Sequence, residues 1–164
     1  MEFNIDTFHP LVLNIGLARH NADWNWKNVS SPFARLYYVI EGTAKVILPD
    51  HIVSLREGYM YFIPAFTPHS YECTSSFVHY YAHIYEDPQT KYLFLEDWVL
   101  PEEIRAGTLE LSLFQELYSL NPTMKLSKSD PSTYDNSSTL ASNLLKNKQR
   151  PLYNKMMSRG IIYQ

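Results

Sequence analysis

The sequence predicts a mainly β chain, with short antiparallel strands folded as a sandwich or small barrel and a small α-helical unit behind them. Three observations carry this. Up to about residue 85 the chain is a string of short β-branched and aromatic runs, each bounded by turn residues. No helical pattern stands between those runs, as the crossovers of a parallel sheet would require. Beyond residue 86 the apolar residues move to helical spacing.

The predicted strands are Leu11 to Ala18, Trp24 to Val29, Ala34 to Ile40, Ala44 to Leu48, Ile52 to Leu55, Tyr59 to Ile63, His69 to Cys73 and Phe77 to Tyr85. The reversals between them include His20-Asn21-Ala22-Asp23, Ser30-Ser31-Pro32, Glu41-Gly42, Pro49-Asp50, Glu57-Gly58, Pro64 with Pro68, and Ser75-Ser76. From Glu86-Asp87-Pro88 the chain turns acidic. Leu109, Leu111, Leu113, Phe114, Leu117 and Leu120 then make an amphipathic helix, with Thr108 as expected N-cap and Asn121-Pro122 as stop. After a loop rich in Ser, Asp and Pro, Leu140, Leu144 and Leu145 predict one helix. Leu152, Met156, Met157, Ile161 and Ile162 predict another, opened by Pro151. Residues 1–85 are thus expected as the β unit and 86–164 as a helical appendage.

With 164 residues, 45% of them hydrophobic and 19% charged, the chain can bury one sizeable core. A net charge of −3 argues against a surface wrapped in nucleic acid. The single cysteine, Cys73, excludes an internal disulfide framework and multi-cysteine metal sites, and fits a reducing cytoplasm. No apolar run approaches the roughly 18 residues of a membrane span, and the start lacks a signal peptide's basic and apolar stretches. A cytoplasmic protein without membrane contact is expected. The end is locally basic, with Lys146, Lys148, Arg150, Lys155 and Arg159 and no acid, a pattern that first of all reads as a solvated helix face. Its apolar side stops uncapped at Ile161-Ile162-Tyr163-Gln164, as a face awaiting a partner helix or a continuing chain would.

Glu41-Gly42, then Gly58, Pro64 and His69, form the most informative block. It resembles the second motif of the cupin family, which runs glycine, five residues, proline, any residue, glycine, two residues, histidine. Gly58, Pro64 and His69 fill that pattern, while Phe66 replaces the second glycine and Cys73 the terminal asparagine. The resemblance implies a double-stranded antiparallel β-barrel. It also implies where metal ligands would stand. Counting back seven from Gly42 puts Arg35 at the glutamate position, and the paired histidines fall on residues such as Asn28 and Ser30. Only His69 survives, and a guanidinium offers donors but no lone pair, so no metal or other cofactor is expected.

The stretches Arg35 to Gly42, Gly58 to Tyr71 and Phe77 to His83 are similar more narrowly to the N-terminal effector-binding domain of AraC-family transcription regulators. That resemblance implies a dimerising helical unit, and a DNA-binding domain that the chain itself does not match. It implies as ligand-binding residues Arg35, Tyr37, His69, Tyr71, His79 and Tyr81, with Trp24 and Trp26 at the pocket mouth or as barrel packing. Period-2 alternation puts His79, Tyr81 and His83 on one face; on the strand before, Leu36, Tyr38 and Ile40 are as acceptable an inward set as Arg35 and Tyr37. A homodimer is expected through Leu144, Leu145, Leu152, Met156 and Ile162.

Two functions follow as expectations. The first is a sensor, not an enzyme, that binds a small polar effector, a sugar or carboxylated metabolite, and reaches DNA only through a domain outside this chain. The second is a metal-free epimerase or isomerase with His69 or His79 as base and Tyr71 or Tyr81 as acid. That chemistry wants a carboxylate to orient the histidine, and none stands on the inward positions of the His79 strand.

Overall fold

The structure, a computed structural model, describes residues 5–86, 93–97 and 100–164. Eight strands run as β1 (Pro10–Asn21), β2 (Ala34–Gly42), β3 (Ala44–Ile47), β4 (Ile52–Leu55), β5 (Tyr59–Ile63), β6 (Ser70–Glu72), β7 (Ser76–Glu86) and β8 (Glu103–Arg105). The helices are α1 (Phe94–Asp97), α2 (Thr108–Leu120), α3 (Ser137–Gln149) and α4 (Leu152–Ile162). One antiparallel sheet has the order β1-β7-β2-β5-β8 and the other β4-β3-β6. Among the described strands the ladders do not close into a barrel; the arrangement is the two-sheet form of the fold.

Both faces of the larger sheet are buried, which is why its strands read as nearly unbroken apolar and aromatic runs. One face carries Tyr38, Phe62, Tyr80, Ala82 and Ile84, and packs on Phe114 and Leu117 of α2. The other face carries Tyr37, Val39, Tyr61, Phe77 and Tyr81, and meets Ala44, Val46, Leu55 and Tyr71 of the smaller sheet. The chain passes between the sheets at Gly42, whose φ of 79° suits glycine and whose hydrogen a Cβ would replace only 2.1 Å from the Ser76 carbonyl oxygen. The predicted strand Trp24 to Val29 is absent. That segment is irregular apart from a bridge from Val29 to His69, and is tied to β6 and the turn after it by single bonds: the Asn25 carboxamide oxygen accepts from Cys73 N–H, and the Trp26 carbonyl accepts from Tyr71 N–H. The sequence reading also missed β8, three exposed residues that extend the sheet at β5. Asp87 and Pro88, in the expected change of character, lie outside the described residues.

The helix ends follow their local chemistry, with one correction. Thr108 is the first residue of α2, not its cap. Gly107 is the cap, and its N–H donates to the Glu110 carboxylate at 2.6 Å. The Asn136 side chain caps α3 by accepting from Thr139 N–H at 2.9 Å.

At Phe66 the backbone matches the motif although the side chain does not. Its φ is 56°, in the left-handed region that the family's glycine serves. That conformation costs a non-glycine residue about 1–2 kcal/mol, and the ring, 61% exposed, recovers little of it by packing. Phe66→Gly is expected to stabilise the fold by up to about 1 kcal/mol after the added unfolded-state entropy of glycine. A urea melt checks this; a loss of stability would show that the ring packs usefully.

Candidate functional site

Registered pairing builds the interior of the larger sheet. On β7 the inward residues are Phe77, His79, Tyr81 and His83. They face His20, Ala18, Gly16 and Asn14 across β1, while Val39, Tyr37 and Arg35 of β2 face His79, Tyr81 and His83. Small residues thus stand opposite the rings of His79 and Tyr81, and space is left. A cavity of about 150 Å³ is walled by His20, Trp24, Tyr37, His79, Tyr81 and His83, and closed by Leu126, Lys128 and Tyr134 of the loop that precedes α3. A cavity of this size takes a molecule of about benzene's volume.

Gly16 is essential to this geometry, since a Cβ there would sit 2.4 Å from the Tyr81 hydroxyl oxygen. That oxygen accepts from Leu126 N–H at 2.8 Å, fastening the loop to the sheet. Gly16→Ala is expected to displace the Tyr81 ring, cost about 1–3 kcal/mol, and speed hydrogen exchange at the Leu126 amide. An unchanged exchange rate would show that the Tyr81 bond does not hold the loop.

Four histidines are buried among the aromatics and held neutral. Burial, then the neighbouring His20, pushes His79 down to about 3. Burial, then the Arg35 charge, pushes His69 down to about 4. Burial likewise lowers His83, reinforced by Arg35, and lowers His20 despite Asp23. Neutrality fixes the tautomers. His69 Nδ1 lies 2.7 Å from the Thr67 carbonyl and must donate to it, so Nε2 accepts from the Tyr71 hydroxyl at 2.6 Å. The Tyr71 oxygen then accepts from Tyr37, 2.7 Å away. His83 Nδ1 donates to the Asn14 carbonyl oxygen at 3.1 Å, because the Asn14 amide is given to the Met124 carbonyl. His79 Nε2 stands 3.4 Å from His20 Nε2, and its Nδ1 has no partner among the described residues.

Arg35 is 1% exposed, which places it inside and makes Leu36, Tyr38 and Ile40 the helix-facing set. It is not, however, a free fork. Its Nη2 lies 3.3 Å from the Asp135 carboxylate, which also takes the Ser31 hydroxyl, and its guanidinium sits 5.1 Å from the Phe33 ring and 6.0 Å from that of Tyr134. Burial opposes the charge, but Tyr71, Tyr37, Tyr134 and Asp135 outweigh it and hold the Arg35 pKa high. Burial pushes the Asp135 carboxyl up, more than Arg35 pulls it down. Asp135 is therefore a partly buried carboxylate that the loop brings to the cation between the sheets.

The expected site divides in two. His79, Tyr81, Tyr37 and Trp24 line the cavity. His69 and Tyr71 form a separate hydrogen-bonded chain with Tyr37, and Arg35 stands behind Tyr134. Trp26 is packed against the same core without lining the cavity. The sequence reading missed His20, because β1 was ended at Ala18; three more residues put His20 in phase with Gly16 and Ala18. It missed Tyr134 and Asp135 because a loop's docking has no periodic signature. The proposed dimer face is also divided: Leu144 and Ile162 pack onto the chain's own cores, while Leu145, Leu152 and Met156 are exposed.

Among the described residues no three His, Cys, Asp or Glu side chains are grouped to hold a metal ion, and no helix is long and apolar enough to cross a membrane. No family model matches the chain, and no curated protein does. Solved structures do. The EutQ protein of Clostridium difficile matches over 42% of this chain and 53% of its own, at 21% identity and a TM-score of 0.37. The DMSP lyase DddQ of Ruegeria pomeroyi matches over 58% of this chain and 55% of its own, at 17% identity and a TM-score of 0.39. Oxalate decarboxylase of Bacillus subtilis matches over 43% of this chain and 21% of its own, at 19% identity and a TM-score of 0.37. The matched part thus spans about half of the first two proteins and a fifth of the third. These are cupin-fold proteins, and the mainly β, antiparallel architecture fits that fold. The matches overturn one expectation: the chain was read as not an enzyme, and the lyase and the decarboxylase are enzymes of this fold.

Proposed function

We propose that the chain is a cupin-type domain that binds a small polar molecule between its sheets, and that it serves as the sensor of an AraC-type regulator. The observation that supports this is the dual origin of the cavity wall, part sheet and part the loop that leads into α3. A ligand there touches Tyr81 and Tyr134 at once, and Asp135 next to Tyr134 adjoins the α3 cap Asn136. Occupancy thus bears directly on how the helical unit is held, which a sensor needs. The volume and the cation on the wall, Lys128, favour a small carboxylate over a hexose. Neutral imidazoles and phenols supply the remaining hydrogen bonds.

A thermal-shift screen of small hydroxy and keto acids tests this, with each hit repeated on His79→Leu. Stabilisation of the wild type and at least about tenfold weaker binding by the variant is the expected result, the loss of one buried hydrogen bond being worth that much. Hits that bind both proteins equally would place the ligand elsewhere.

A second reading, catalysis, is favoured by one observation. Asp23 Oδ1 stands 3.4 Å from His20 Nδ1, and His20 in turn adjoins His79 in the cavity. A carboxylate behind a cavity histidine is what proton abstraction wants. The test is solvent deuterium uptake into the same acids and into aldoses, by NMR. Uptake slowed by Asp23→Asn supports catalysis; none in the presence of a bound acid rejects it.

A further inference from the structure

We infer that the groove between α3, α4 and the start of β1 is a second binding site, for a phosphorylated small molecule. It encloses about 630 Å³, and Lys148, Arg150, Lys155 and Arg159 all line it. Among the described residues none of the four pairs with a carboxylate. The sequence holds no acid after Asp135, so neither α3 nor α4 carries one.

Arg150 is the unusual member. It is 9% exposed, and its guanidinium is held by neutral acceptors only: Asn147 at 2.8 Å, Ser158 at 3.0 Å and the Asn121 carboxamide. These bonds link the end of α2 to α3 and α4 and fix the guanidinium in place. They occupy three of its five N–H groups. Burial lowers its pKa, as expected of a cation without a counter-charge. A preorganised guanidinium with donors to spare, ringed by three flexible cations, fits the several oxygens and multiple charge of a phosphate or pyrophosphate. A single carboxylate would leave most of that charge unanswered. The volume lies within the ~300–1,000 Å³ of sites for whole small molecules, and Tyr163 and Met156 offer apolar wall to an organic body. A second copy of the chain is a poorer occupant, because a two-fold contact through this groove would set its cations against their own images.

The test uses the whole chain, titrated with inorganic pyrophosphate at about 50 mM and about 200 mM salt, beside Lys155→Gln with Arg159→Gln. These two side chains are partly exposed and lie outside the polar hub of Arg150, and a melt verifies that the double variant keeps the fold. The expected result is saturable pyrophosphate binding that weakens with salt and falls at least about tenfold in the variant. Absence of binding, or equal binding by the variant, overturns the proposal. So does a DNA duplex that binds this face and resists displacement by pyrophosphate, or a dimer that occludes the groove. The cavity between the sheets is monitored separately by the His79→Leu comparison, so either site can fail alone.

Discussion

Lowering the pH from about 7.5 to about 4.5 will strip most of the stability from this fold through its buried imidazoles. His69 and His79 are neutral inside, with pKa values pushed down to about 4 and about 3. In the unfolded chain each returns to about 6.5. Below that value the unfolded state binds protons that the folded state refuses. The stability these residues allow is therefore fully present above about 6.5 and is lost as pH falls toward the folded values, by up to about 1.4 kcal/mol per pH unit for each. His20 and His83 are shifted the same way and add to the slope. His51 is shifted oppositely by Glu102 and Asp50, but it is solvent-exposed and screened. Urea melts across this range check the prediction, with His79→Leu flattening the slope. A stability that stays constant from pH 7.5 to 5 would mean that the imidazoles are not buried neutral.

The second large effect concerns Arg35. Asp135→Ala leaves a cation that is 1% exposed without its carboxylate, and breaking a buried pair in this way costs about 3–5 kcal/mol. Arg35→Met will cost somewhat less, about 3 kcal/mol, because the abandoned Asp135 is 13% exposed and its pKa is already raised. The double variant Arg35→Met with Asp135→Ala should cost less than the sum of the two, since no buried charge remains. Simple additivity in denaturant melts would show that the two side chains do not depend on each other.

These residues also show what could be read in the sequence. Most strands were legible because each lies in a sheet bounded by turn chemistry, and Ile52–Leu55 and Tyr59–Ile63 stand where the runs of β-branched and aromatic residues put them. Period 2 grouped His79, Tyr81 and His83 on one face of β7, and the resemblance implied that this face is the inward one. For β2 two inward faces looked equally apolar, because both sides of the sheet are buried, one by the second sheet and one by α2. Only the cross-strand register with His83 and Tyr81 chooses Arg35 and Tyr37. The lid was illegible for a different reason. Tyr134 and Asp135 reach Phe33 and Arg35 from about a hundred residues away, and nothing in a loop's composition says where it docks. Arg150 read as part of a solvated basic helix face and Asn121 as a helix stop, yet with Asn147 and Ser158 they form the buried hub between the helices.

The central claim is that the space between the sheets receives a small polar ligand and that the loop before α3 responds. The most direct measurement is NMR of the protein labelled with ¹⁵N, titrated with the best acid from the thermal-shift screen. The imidazole resonances of His79 and His83 and the amides of Leu126, Asp135 and Asn136 should shift together, along one saturation curve. Shifts confined to surface residues, with these imidazoles and loop amides unmoved at saturation, would contradict it.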